Sequence, residues 1–323
     1  MPIERTATES CGSRQRVKTL TIYLLSHNRP LMVTAAIDSI LGQTSNDFRL
    51  VVSDNSTDAS VRGRLGRYQA QVILQLRNNV ENVFDHWKTC VDECDTTYIM
   101  LFHDDDQMLP ALIKTFWSVE NKYDQFAAIG FNAFILRGES MSIPAFLPLR
   151  EVEGPITISE LMNRYFFKFS RGIVPFPGYI YRTELLKELL NQSHFSKLTG
   201  KYSDVRLIKE LTRFGGVYWF GKPLFLYRIH ESNDGLNESL RDRLSFLAYL
   251  KSQLNNEISN NSLCDYRFFL YQKVFGKKPL LAQHTPNKIK KFLRYYRYRR
   301  LLRVDYYYSW LKKLYAKNLD AIR

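Results

Sequence analysis

The chain has little cysteine: Cys11, Cys90, Cys94 and Cys264 are all it has in 323 residues. They form no CxxC pair, so neither a disulfide framework nor a zinc site of common spacing is written here. Cys90 and Cys94 stand four apart on a segment of helical period. They read as two reduced thiols rather than half a metal site, which fits a reducing, cytosolic compartment. Long apolar runs are missing too. None approaches the roughly 20 residues that span a bilayer. Residues 1–18 are polar, lack a signal-peptide core and read as a poorly ordered extension. A glycine-rich phosphate loop is also absent. No GxGxxG follows the first apolar run and no Walker sequence occurs, which argues against a dinucleotide-dependent oxidoreductase. There is no internal repeat and no low-complexity segment.

Net charge is +14, yet most of the molecule lacks it. Residues 287–323 hold 12 Lys/Arg against 2 Asp/Glu, a net of +10, which leaves only +4 on the preceding 286 residues. Apolar residues make up 45% and charged residues 24%, an ordinary globular balance with enough length for one large domain or two medium ones.

Between residues 20 and 136 the pattern alternates. "LTIYLLS" (20–26), "FRLVVS" (48–53), "QVILQL" (71–76), "TYIMLF" (97–102) and "FAAIGFNAFIL" (126–136) read as strands. Between them lie "LMVTAAIDSILGQ" (31–43), an Arg-rich segment, "ENVFDHWKTCVDEC" (81–94) and "MLPALIKTFWSVENKY" (108–123), all with helical spacing. Gly42 is placed to end the first helix, and Pro110 sits in the first turn of the last. Strands alternating with helices predict a doubly wound, mostly parallel α/β sheet. Beyond Gly138 the pattern loosens into a long loop (138–155), a helix (157–168), "TELLKELL" (183–190) and the amphipathic "YSDVRLIKELTRFG" (202–215). Two short strands, "VYWF" and "PLFLYRIH" (223–230), follow, and then a mostly helical remainder.

Ligands of such sheets bind beyond the carboxyl ends of the strands. Three polar segments occupy those ends: "SHNRP" (26–30), "DNSTD" (54–58) and "HDDD" (103–106). They should share one crevice. Three adjacent carboxylates, Asp104, Asp105 and Asp106, are costly at a buried strand end unless a cation or a donor network compensates them. A hard divalent cation, Mg²⁺ or Mn²⁺, would bind one or two of them together with phosphate oxygens. The plainer alternative is a solvated acidic turn capping the next helix. His103, just before them, reads as a packing residue.

Four segments carry a resemblance. "LTIYLLSHNRP", "RLVVSDNSTD", "YIMLFHDDDQMLP" and "YSDVRLIKELTRFGGVYWFGKPLFLYRIHESN" occur in the order and spacing of a family-2 glycosyltransferase. The chain is similar to that family over residues 19–235. The resemblance implies a GT-A fold: a Rossmann-like, mostly parallel sheet flanked by helices, here with a helical C-terminal region over 236–323. It implies a metal-dependent, inverting transfer of a sugar from a nucleotide-diphosphate donor. By the same resemblance, Asp54 would bond the donor's base, while Ser26, His27 and Asn28 would line the nucleotide pocket. Asp104 would contact the donor's ribose or sugar side. Asp105, Asp106 and His230 would hold the metal, and Asp204 would be the catalytic base. The chain departs from the family at Ser53, where an acidic residue is frequent. It departs again at Leu25 and His27 in the first loop, and at Ser203 before the presumed base. Capping offers a structural alternative for Asp54 and Asp204, and strand-end packing one for His230.

The tail "NKIKKFLRYYRYRRLLRVDYYYSWLKKLYAKNL" interleaves cations with aromatic residues and leucine. An anionic membrane surface suits that mixture, with Tyr and Trp at headgroup level. Family members glycosylate lipid-linked acceptors at the cytosolic face, so the acceptor expected here is a lipid-linked or surface glycan. Nucleic acid is the disfavoured partner, although cations and stacking rings also bind single strands. Two rivals stand against the transferase: a non-catalytic nucleic-acid- or membrane-binding module, and a metal-dependent nucleotidyltransferase.

Overall fold

The computed structural model describes residues 19–253, apart from 79, 81, 124, 139, 145–153, 158–175, 193–202 and 231–238. The extension expected at 1–18, the helix expected at 157–168 and the basic tail lie outside the described residues.

β1 (Leu20–Ser26) is buried at every position, as a strand covered on both faces must be. It sits between β2 (Arg49–Asp54) and β4 (Tyr98–His103), parallel to both, with β3 (Ile73–Leu76) parallel to β2 at the edge. Helices α1 (Pro30–Leu41) and α2 (Ser60–Arg64), the latter extended by a 3₁₀ turn, make the first two crossovers, and α3 (Val83–Glu93) makes the third. Gly42 closes α1 as expected: its N–H donates to Asp38 O at 2.9 Å, and the next N–H, of Gln43, donates to Ile40 O at 3.3 Å. Asn82 caps α3, its side chain accepting from the N–H groups of Phe84 and Asp85.

Two expectations are corrected beyond β4. Residues Gln107–Met108 form a short strand, β5, and α4 runs only over Leu112–Glu120, so Pro110 lies ahead of the helix. The two short strands expected after Gly215 are one long strand, β10 (Gly216–Arg228), whose register against β6 (Phe126–Arg137) shifts between Phe220 and Pro223. The Asn132 amide, fully buried, donates to Gly221 O across that irregularity at 2.8 Å.

The stretch expected as a long loop contains β7 (Ser140–Pro144) on β6 and β8 (Gly154–Ile156) on β10. β9 (Tyr179–Arg182) inserts antiparallel between β4 and β6, so the sheet reads β3-β2-β1-β4-β9-β6-β10-β5. The sheet is therefore mixed: a parallel block of β1–β4 and a parallel β6–β10 pair, joined through β9. Helices α5 (Thr183–Leu190), α6 (Ser203–Leu211) and α7 (Leu240–Gln253) complete the described chain. No described helix is long and apolar enough to cross a membrane.

β9 depends on one glycine. A Cβ on Gly130 would lie 2.4 Å from Tyr179 Cε1, because that ring lies over the backbone it pairs with. Tyr179 and its neighbours are fully buried and have nowhere to move. Gly130→Ala is therefore expected to lower stability by about 1–3 kcal/mol through overpacking. Urea unfolding of the variant checks this, and unchanged stability would contradict it.

Candidate active site

The register of the first parallel block brings the three polar segments together. Ser26 is paired with Asp54, and Leu25 with His103. Past the strand ends the ladder continues: Asn55 N–H bonds Ser26 O at 3.1 Å, and Asp104 N–H bonds Leu25 O at 3.1 Å. The first two loops are clasped by Asn28, which has a left-handed backbone (φ 54°). Its N–H donates to Ser56 Oγ at 2.8 Å, and its side-chain oxygen accepts from Thr57 N–H at 2.9 Å. Asparagine tolerates that conformation better than most residues. Asp54, buried, accepts from Ser56 N–H and Ser56 Oγ at 3.0 and 2.6 Å. It does not cap α2, whose N-cap is Ala59.

The fourth segment arrives from the other side. β5 pairs antiparallel with β10, setting Met108 opposite Phe225. The end of β10 then lies against the aspartate turn. Arg228 N–H donates to Asp106 Oδ1 at 2.9 Å, and Arg228 Nε donates to Asp105 O at 3.0 Å. Two residues on, His230 Nε2 is 2.8 Å from Asp105 Oδ2.

All three carboxylates are buried, at 2%, 7% and 1% exposure for Asp104, Asp105 and Asp106, which disposes of the solvated-turn alternative. Asp104 Oδ1 pairs with Arg29 at 2.6 Å, and its Oδ2 accepts from His27 N–H at 3.1 Å. Burial still pushes Asp104 up to about 6, against the pull of Arg29. Burial would also raise Asp105, but positive charge at His103, the His230 bond and Arg29 hold it below the usual carboxylate range. Asp106 is pushed well above that range by burial and by the charge of Asp105. Its Oδ2 is buried with no hydrogen-bond partner among the described residues. Ser26 Oγ is in the same situation.

His103, Asp105 and Asp106 each offer a ligand atom within 4.8 Å of the others. His103, read from the sequence as a packing residue, is thus placed where its ring could also serve as a ligand. The group supplies the fit for a hard divalent cation: two carboxylates, an adjoining imidazole and an orphaned buried oxygen in one place. His230 joins the group through Asp105.

Residues 21–137 match the sequence model described as Glycosyl transferase family 2. That segment is a family-2 glycosyltransferase domain. The whole chain is similar in structure to S. aureus TarS residues 1–349 in complex with UDP-GlcNAc, with a TM-score of 0.59 and 13% identity, covering 86% of this chain and 79% of that one. TarS 1–349 in complex with UDP gives 0.58 and 16%, covering 87% and 82%. Against a longer TarS structure the score is 0.57 at 16% identity, covering 87% of this chain and 50% of that one. Identities this low establish the fold alone, which is GT-A. No curated protein matches the chain in sequence. The protein is a glycosyltransferase, and the non-catalytic and nucleotidyltransferase rivals give way.

Below the end of β2 lies a buried polar group around Ser53, one of the positions at which the chain departs from the family. Ser53 Oγ meets His86 Nε2 at 2.8 Å, Arg77 Nε at 2.8 Å and Cys90 Sγ at 3.3 Å. Arg77 also grips Glu93 with two bonds of 2.7 Å. Burial, helped by Arg77, pushes His86 down to about 4, so it is neutral. Burial raises Cys90 to about 11, an inert thiol facing Ser53 rather than Cys94.

Asp204 is half-buried in the first turn of α6. Its charge adds to burial and to Tyr179 in raising Tyr181 well above the usual phenol value. α6 is tied to α7 through a buried group: Lys209 Nζ to Glu210 at 2.8 Å, and Tyr249 OH to Glu210 at 3.1 Å. Sequence reasoning missed Arg29 and Arg228. Charge accounting could have found them, because three buried carboxylates require cations, and these two arginines flank the motifs.

Two of the site's carboxylates, Asp104 and Asp106, work against the fold. A carboxylate raised in the native state lets the unfolded chain ionise first, so its destabilising effect grows as pH rises from about 4. With a chelator present, Asp106→Asn should be more stable than the parent at pH 7.5, with the difference vanishing near pH 4. Thermal unfolding across that range checks it. A variant less stable than the parent at pH 7.5 would contradict the burial argument.

Proposed function

We propose that the protein is a metal-dependent, inverting glycosyltransferase that takes a sugar from a UDP-sugar and delivers it to a hydroxyl of a lipid-linked or surface glycan. The observation that carries this is the buried Asp105–Asp106 pair with its orphaned oxygen. It stands at the carboxyl ends of the parallel strands, beside Ser26 and Asp54. The TarS structures with UDP-GlcNAc and UDP support a uridine donor.

Asp105, Asp106 and His103 or His230 would hold Mg²⁺ or Mn²⁺. Bound there, the cation would neutralise the donor diphosphate and make it a competent leaving group. Asp54, with one carboxylate oxygen engaged by Ser56, keeps acceptor capacity for an N–H of the base. Ser26 lines the same pocket, and Asn28 with His27 shapes its wall. Asp104, held by Arg29 and the His27 N–H, faces the ribose or sugar. Asp204 accepts the proton of the attacking hydroxyl. The acceptor oxygen forms its bond to the anomeric carbon as that carbon's bond to the diphosphate breaks. One displacement with no covalent intermediate inverts the centre.

Thermal shifts with UDP, GDP, TDP and CMP, each with and without Mn²⁺, test the donor reading. The expected result is stabilisation by UDP that requires Mn²⁺ and is lost in Asp105→Ala; no shift with any nucleotide would refute it. Asp204→Asn should retain UDP binding and lose transfer by about 10²–10⁴-fold. Normal turnover in that variant would remove Asp204 from the mechanism.

The basic, aromatic segment 287–323 is proposed to rest on the anionic cytosolic membrane surface, where a lipid-linked acceptor would be presented. A chain ending at residue 286 should no longer sediment with anionic liposomes. Retained sedimentation would rule the segment out as the anchor.

A further inference from the structure

Arg29 holds a place that the transfer chemistry leaves unexplained. One guanidinium nitrogen lies 2.6 Å from Asp104 Oδ1 and 3.2 Å from Asp105 Oδ2. That same Asp105 oxygen is 2.8 Å from His230 Nε2. Arg29 is also the N-cap of α1 and makes no side-chain cap bond. A cation at that end opposes the helix dipole, which favours anions there. Its side chain is 33% exposed, so it has a route to move. Asp104 has a second tether in the His27 N–H and keeps its position if Arg29 leaves.

A divalent cation at Asp105 and Asp106 must therefore displace Arg29 from Asp105 or share the carboxylate with it. Positive charges a few ångströms apart repel strongly in a partly buried site. A diphosphate reverses the balance. It brings negative charge and paired oxygens suited to a guanidinium, and it would sit at a helix end that favours anions. We infer that Arg29 is a resident counter-ion that couples cation to donor: it neutralises Asp104 and Asp105 in the empty site, then passes to the donor diphosphate as the cation takes Asp105. This rests on the function proposed above. Arg29 is a positioning residue here. A purely structural role has the opposite signature, since loss of a brace would weaken cation binding, whereas loss of a competitor strengthens it.

Calorimetric titration of the full chain tests this with Mn²⁺ alone, UDP alone and UDP in saturating Mn²⁺, for the wild type, Arg29→Gln and Arg29→Lys. The diphosphate itself ligates the cation, so affinity for Mn²⁺ alone is the deciding reading. Arg29→Gln should bind Mn²⁺ alone at least tenfold more tightly than the wild type and bind UDP at least tenfold more weakly. Arg29→Lys, whose shorter side chain reaches Asp105 less well and offers no planar donor pair to a diphosphate, should gain at least threefold for Mn²⁺ and decides the matter if Arg29→Gln does not fold. Wild-type binding of UDP with Mn²⁺, combined with variants whose Mn²⁺ affinity is unchanged or lower, would overturn the inference and leave the function standing. Failure of the wild type to bind UDP in any condition would overturn both.

Discussion

Three carboxylates in a row, each buried, are what the rest of this molecule is arranged to tolerate. Asp104 leans on Arg29 and a backbone N–H, Asp105 on Arg29 and His230, and Asp106 on the Arg228 N–H. These compensators come from two distant parts of the chain. The first loop, the aspartate turn and the end of β10 are held together by that mutual charge need as much as by the sheet. Compensation is incomplete. One Asp106 oxygen has no hydrogen-bond partner among the described residues, and the carboxylate is pushed well above its ordinary range. A site left short of positive charge in this way is primed for a cation and for the anionic ligand that the cation escorts.

The parallel block and its crevice were legible because their signals are local. Apolar runs ending in polar segments marked β1, β2 and β4, and parallel register then required Ser26, Asp54 and Asp104 to meet. The length and capping of α1 also followed from Pro30 and Gly42. The second half of the sheet was harder to read. β9 is an antiparallel insertion of four residues, and nothing in "YIYR" names its neighbours; it is fixed by tertiary packing of Tyr179 over Gly130. β10 reads as two strands because Gly221 and Pro223 interrupt its pattern, whereas in the fold they mark an irregularity within one strand.

Within the site, sequence order named the acidic residues and missed their partners. Arg29 and Arg228 lie inside the first and fourth of the quoted segments and were given no role, since an arginine at a loop or strand end is usually solvated. His103 gave no signal for a related reason: a histidine at the end of an apolar strand usually packs, and only the geometry shows its ring beside Asp105 and Asp106. Ser53 is the converse case. It looks like a lost acid, and the fold gives its hydroxyl a buried place among His86, Arg77 and Cys90.

The account stands on one claim: that the buried carboxylates after β4 are a cation site completed by a nucleotide diphosphate. Crystals grown with UDP and Mn²⁺ and measured at a wavelength where manganese scatters anomalously test it most directly. The prediction is a single strong anomalous peak in contact with the carboxylates of Asp105 and Asp106 and with the UDP diphosphate. UDP bound there with no peak, or a peak at another place on the molecule, would contradict it.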